Sequence, residues 1–158
     1  MGLDMYLYLR KYESCTHWDK EYPVKRVDFY PEDLTDMAEY HEKRNFLSKY
    51  TYYQIGYWRK ANAVHSWFVQ HCADGVDECQ EIYVSLEKAK ELRNTVDRVL
   101  ECHEKSEKLL PTQDGFFFGS TEYDEWYYEN LKYTKDLLDK VISLCDGGRY
   151  SIVYQASW

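Results

Sequence analysis

The run Tyr57-Trp58-Arg59-Lys60-Ala61-Asn62-Ala63-Val64-His65-Ser66-Trp67-Phe68 sets two adjacent cations beside an indole, at the start of a stretch with helical spacing. Cations so placed pair with a phosphate or a carboxylate, while Trp58 and the cluster Tyr50, Tyr52, Tyr53 and Tyr57 offer rings for stacking. The dipole of a helix starting here opposes positive charge, so Arg59 and Lys60 need a partner. That partner is a ligand or an internal acid such as Asp124, and the sequence leaves both open. A second candidate is the turn Gly119-Ser120-Thr121, whose amides and two hydroxyls form an anion cradle where a helix begins. Glu122 and Asp124 beside it oppose an anion, which makes a plain helix cap the simpler reading of the turn. With Asn62 and Gln113 these segments define the expected ligand-binding set: Trp58, Arg59, Lys60, Asn62, Gln113, Gly119, Ser120 and Thr121.

Other chemistry is less well supported. Cys72 lies seven residues after His65 and shares its helical face. Ala61 and Phe68 are on that face too, so a buried structural thiol is preferred over a nucleophile. His71, Cys72, Cys79, Cys102 and His103 are metal-ligand types, but no Cys-x-x-Cys or His-Glu-x-x-His spacing occurs, and adjacent helical His and Cys point apart. No metal and no cofactor is expected. Glu122, Asp124, Glu125 and Glu129 provide paired carboxylates for acid–base work, yet acids in a first helical turn have a simpler role in complementing the dipole. No Gly-Lys-Ser or Gly-x-Gly-x-x-Gly phosphate loop is present.

Composition narrows the classes. The 158 residues carry 28 acidic against 20 basic side chains, a net charge of −8, so no basic field exists to track a nucleic-acid backbone or an anionic membrane. Aromatics are dense, with 17 Tyr, 6 Phe and 5 Trp, and tyrosine paves binding surfaces as well as cores. The odd number of cysteines argues against a secreted disulfide framework and fits a reducing cytoplasm. The start lacks the basic and apolar regions of a signal peptide, and no apolar run approaches the roughly 20 residues of a membrane span. One domain, residues 1–158, is expected from the length.

The elements that must position these groups follow from periodicity. Met5, Leu7 and Leu9 alternate with Tyr6, Tyr8 and Arg10, predicting a strand that ends before Cys15. Val24 to Phe29 reads as a second short strand or an extended connection. Pro31, Glu32 and Asp33 open a helix that runs to about Leu47. A second helix carries Ala61, Val64, His65, Phe68 and Cys72 on one face and stops at Gly75. After a short apolar segment at Ile82, Tyr83 and Val84, Ser85 caps a third helix with Leu86, Ala89, Leu92, Val96, Val99 and Leu100 inward, continuing until Pro111 breaks it. Glu101–Lys105 and Glu104–Lys108 are spaced to pair on its solvated face. Residues 110–121 read as turn, short strand, turn. Thr121 with Asp124 resembles a capping box for a fourth helix, whose inward face is Tyr127, Leu131, Thr134, Leu138, Val141 and Cys145. Gly147-Gly148 ends it, and Tyr150 to Tyr154 form a final strand suited to pair with the first. The expected fold is α+β: a small antiparallel sheet of N- and C-terminal strands packed with about four helices.

Three segments carry a resemblance across most of the chain: Met1-Gly-Leu-Asp-Met-Tyr-Leu, Tyr57-Trp-Arg-Lys-Ala-Asn-Ala-Val-His-Ser-Trp-Phe, and Leu110-Pro-Thr-Gln-Asp-Gly-Phe-Phe-Phe-Gly-Ser-Thr-Glu-Tyr-Asp-Glu-Trp-Tyr-Tyr. Together they resemble a family of small, uncharacterised phage- and prophage-encoded proteins. The resemblance implies a context, the cytoplasm of an infected bacterial host, where small accessory proteins take over or neutralise host systems. Two functions are then expected of such a chain. The first is binding of a small anionic, nucleotide-like ligand without turnover, as counter-defence by sequestration. The alternative is an acidic, tyrosine-rich interaction module that inhibits a host protein. The partner is therefore a small anionic molecule or a host protein; a membrane or nucleic-acid partner is not expected, and a homo-oligomer is left open.

Overall fold

Apolar–polar alternation from Asp4 puts Met5, Leu7 and Leu9 on one face of strand β1 (Asp4–Thr16), where none is more than 3 % exposed. The computed structural model describes residues 2–16, 29–34 and 46–158. Strand β2 is Phe46–Arg59, helix α1 Asn62–Cys72, strand β3 Ile82–Val84 and helix α2 Leu86–Glu101. The single-turn helix α3 (Ser106–Leu109), the long helix α4 (Glu125–Cys145) and strand β4 (Ser151–Ser157) complete the order. The fold is α+β: a four-stranded antiparallel sheet in the order β2-β1-β4-β3, with four α-helices among the described residues. By contact the chain divides into two compact units, one of Met1–Arg10 with Tyr52–Trp158 and a smaller one of Lys11–Thr51.

In the larger unit, β1 and β4 pair in the register Asp4↔Ser157 to Arg10↔Ser151, joining strands from opposite ends of the sequence as expected. Val153 of β4 has Tyr8 opposite it on one side and Tyr83 on the other, and it is fully buried although it points away from the helices. The tyrosines make that face: Tyr6 stacks on Tyr8, Tyr57 tilts against Tyr6, Tyr52 meets Tyr8 edge-on, and Arg10 lies 4.6 Å over the Tyr83 ring. The smaller unit has its own cluster of Cys15, Phe29 and Leu47. There the Lys49 ammonium donates to the Phe29 carbonyl at 2.9 Å, and Tyr30 donates to the carbonyl of Ser48.

The helices pack by their apolar stripes. Ser85 caps α2 by accepting the Lys88 amide at 3.1 Å, and Ala89, Leu92, Val96 and Val99 form its buried stripe against α4. Ser85→Ala is expected to cost about 1 kcal/mol in urea unfolding, the usual worth of such a cap. The expected inward residues of α4 are all buried, and Leu137 joins them. Helix α1 is buried on nearly every side, and Gly75, at φ +80°, closes it by donating to the Val69 carbonyl.

Several boundaries differ from expectation. Strand β1 continues through Cys15, whose side chain belongs to the small cluster. From Pro31 only one 3-10 turn, Glu32–Leu34, is described; residues 35–45 lie outside the described residues, and by Phe46 the chain is strand, not helix. The tyrosines of 50–57 therefore sit on a strand, where aromatic rings pack well across the pleat. The expected second strand falls almost wholly on residues 17–28, outside the described residues. Helix α2 ends at Glu101, ten residues before Pro111, so Glu101–Lys105 and Glu104–Lys108 do not share a helix. Residues 110–121 form no strand; their one tight turn is closed by the Phe118 amide on the Gly115 carbonyl. Asp124, not Thr121, caps α4, accepting the Tyr127 amide at 3.0 Å.

Candidate functional site

Strand β2 ends at Arg59, and the chain must turn sharply to start α1. Lys60 makes the turn at φ +57°, a left-handed conformation rare outside glycine, and its amide is tied to the Leu3 carbonyl at 2.8 Å. Its stem is confined: a methyl group on Gly119 would come 3.0 Å from Lys60 Cβ and 3.2 Å from Cδ, and one on Gly2 would come 3.2 Å from Cε. Gly119, itself at φ +88°, therefore serves both a left-handed turn and a close approach. Arg59 and Lys60 thus precede the helix instead of occupying its first turn. Both are exposed, and neither forms an ion pair among the described residues, with Asp124 or with any other acid.

Helix α1 begins without a side-chain cap, because Ala61 holds the N-cap position, and its first turn contains no acid. The first intrahelical bond is His65 amide to Ala61 carbonyl at 3.0 Å. The amides of Asn62, Ala63 and Val64 precede it and find no acceptor among the described residues, although all three residues are at least 96 % buried. These three residues line a cavity of about 150 Å³. Lys60, Gly119 and Ser120 line it too, together with Trp126, Tyr127 and Leu131 of α4. Glu122 and Asp124 also reach it. Burial holds the Tyr127 hydroxyl far above the usual tyrosine range, and it stays a neutral donor to the Leu110 carbonyl at 2.8 Å.

The loop roofing the cavity is pinned by Asn62. Its side-chain amide donates to the carbonyls of Phe118 and Ser120 at 3.0 and 2.9 Å, and its oxygen accepts the Gln113 amide at 3.1 Å. Of the expected set, Lys60, Asn62, Gly119 and Ser120 come together on the cavity. Trp58 is elsewhere: it is 1 % exposed, its indole N–H donates to the Thr134 hydroxyl at 2.9 Å, and its ring meets Phe68 and Tyr133. Arg59 and Thr121 are exposed beside the cavity without lining it. Gln113 serves through its backbone, while its side-chain oxygen is buried without a hydrogen-bond partner. The α4 wall is absent from the expected set, yet Trp126, Tyr127, Asn130 and Leu131 are spaced for one helical face. The missing cap is also visible in sequence, since Ala61 directly precedes Asn62 and no acid falls within the following turn.

The thiol reading finds no support in the local chemistry. Burial raises the Cys72 thiol to about 11, against an ordinary value of 9.0. At pH 8 its alkylation by iodoacetamide is expected to run about 100-fold slower than that of an ordinary thiol, in proportion to the thiolate fraction. Among the described residues no cluster of three or more His, Cys, Asp or Glu could hold a metal ion, and no helix is long and apolar enough to cross a membrane. Comparison of the chain with known protein families, with curated proteins and with solved structures finds no match.

Proposed function

We propose that this chain binds a small molecule through an anionic group and holds it without turnover, acting as a phage accessory protein that depletes the molecule in an infected bacterial cell. The observation carrying the reading is the uncapped, buried N-terminus of α1 opening on a cavity. Three unsatisfied amides and the positive end of a helix dipole favour an anion there, and Lys60 is the one cationic residue among those lining the cavity. A cavity of about 150 Å³ encloses a head group or a molecule of benzene size. A nucleotide-like ligand would place only its anionic end inside, with its base against the exposed ring of Trp126.

Lys60→Gly tests the reading through two opposed effects. Glycine relieves the left-handed backbone, so stability is expected to hold or rise by up to about 1 kcal/mol, while the lost cation weakens binding. Native mass spectrometry of the freshly purified chain should show a small adduct that leaves on denaturation and is missing in Lys60→Gly. A bare mass, with no thermal shift from inorganic phosphate or small carboxylates, refutes the reading.

Phe116 favours a second reading. It stands 96 % exposed at the tip of its turn, and Tyr52, Tyr57 and Tyr83 are each more than 40 % exposed. Aromatic anchors on an acidic surface suit a basic host protein. That reading predicts a stoichiometric protein complex in the same spectra, lost in Phe116→Ala.

A further inference from the structure

Apart from the cavity, we propose that the outer face of the sheet is the contact surface of a homodimer, two copies stacking their sheets face to face about a two-fold axis. Charge picks out this face. In the larger unit the strands and the residue leading into β3 carry four charged side chains: Asp4 and Arg10 on β1, Arg59 on β2, and Glu81. All four point outward, because each adjoins a buried residue, Met5, Leu9, Trp58 or Ile82, and side chains alternate along a strand. Two acids against two bases leave the face formally neutral, while the chain as a whole is −8. Copies of so acidic a chain repel wherever their acidic surfaces meet, and this face spares them that cost. Under a two-fold axis it also presents both signs to its own image, so the acids of one copy have bases to meet on the other. The exposed rings of Tyr52, Tyr57 and Tyr83 supply contact area, two of them held by the hydrogen bonds of Tyr57 to Asp4 and Tyr52 to Glu81. Four strands about 4.8 Å apart, paired over seven residues of about 3.3 Å each, outline on the order of 400 Å² per copy. That is about half of a standard interface, so the dimer is weak and reversible. A basic protein partner is drawn instead to the acidic surface elsewhere, and the neutral face fits a second copy.

Sedimentation equilibrium of the full chain, from about 1 to about 500 μM, should show a monomer–dimer equilibrium with Kd on the order of 10–100 μM. Arg59→Glu turns the face to −2 and is expected to weaken the dimer about ten-fold. Lys108→Glu makes the same change of charge at an exposed position of α3 and should leave Kd within about two-fold. Glu81→Arg separates this face from general repulsion. It lowers the net charge from −8 to −6, which strengthens association through any acidic surface, yet it makes this face +2 and should weaken the dimer about ten-fold. Mixed together, Arg59→Glu and Glu81→Arg should pair with each other in preference to themselves, read as a heterodimer in native mass spectra, with melting temperatures reporting that both are folded. A chain that stays monomeric throughout, a dimer strengthened by Glu81→Arg, or a mixture that pairs at random overturns the proposal, as does a host protein seated on this face in place of a second copy.

Discussion

Asn62→Ala is expected to lower stability by about 2–5 kcal/mol and to abolish ligand binding. The change removes three hydrogen bonds that join the start of α1 to residues more than 50 positions away. A single net bond is worth about 1 kcal/mol, but the carbonyl of the buried Phe118 and the Gln113 amide are then left without Asn62, and each stranded buried group costs about 1–3 kcal/mol. Asn62→Asp preserves shape and the acceptor for Gln113, yet turns its second oxygen toward two carbonyls. It should destabilise at least as much as alanine, which separates donor loss from cavity formation. Urea midpoints read both variants. If Asn62→Ala unfolds at the wild-type midpoint, the roof of the cavity is held by something other than this side chain.

His65→Ala should cost about 3–5 kcal/mol, a large part of the roughly 5–15 kcal/mol available to a domain. The imidazole is fully buried between the Tyr154 hydroxyl, 2.7 Å from Nδ1, and the Asp77 carboxylate, 3.0 Å from Nε2. A carboxylate only accepts, so Nε2 donates to Asp77, and in the neutral ring Nδ1 then accepts from the Tyr154 hydroxyl. Asp77 also receives the indole N–H of Trp158 at 3.2 Å, so the ring ties α1, β4 and the segment after α1 together. Tyr154→Phe should cost about 1–3 kcal/mol by stranding Nδ1, less than removal of the ring itself. The tyrosine also gives the fold an alkaline limit. Burial lifts its hydroxyl well above 10, and an unfolded tyrosine releases its proton near pH 10. Above that pH the folded state holds the extra proton, so the contribution of Tyr154 is full below pH 10 and is lost as pH rises beyond it. Tyr154→Phe should flatten that decline, leaving the parts due to the Tyr127 hydroxyl and the Cys72 thiol, which burial raises in the same direction.

Periodicity is legible where burial is one-sided. Met5, Leu7 and Leu9 of β1, the stripe of α2 and the inward face of α4 all follow from spacing alone, because water on one side and core on the other leave a mark every second, third or fourth residue. Strand β2 hides its period, since tyrosine suits either face. Gly56 in its middle also has no side chain to declare a face, though Leu137 packs where one would be. The site is half legible for a related reason. Residue types point to Lys60, Asn62, Gly119 and Ser120, but the left-handed turn at Lys60 is no property of lysine. It is imposed by the bond to Leu3 and by Gly119. Trp58 shows the opposite failure: an indole beside two cations looks like a stacking platform until Thr134, 76 residues on, satisfies its N–H inside the core.

The antiparallel partnership of β1 with β4 bears on how the chain is made. The two strands leave the ribosome about 150 residues apart, an interval on the order of ten seconds at usual synthesis rates. For that time the β4-facing edge of β1 leaves its amides and carbonyls without the strand that will pair with them, an opening for wrong pairing between nascent chains. The sheet can close only as a late, non-local event, which sets folding toward the slow end for a domain of this size. Yield during expression should therefore respond to nascent-chain chaperones more than the stability of the finished protein would indicate.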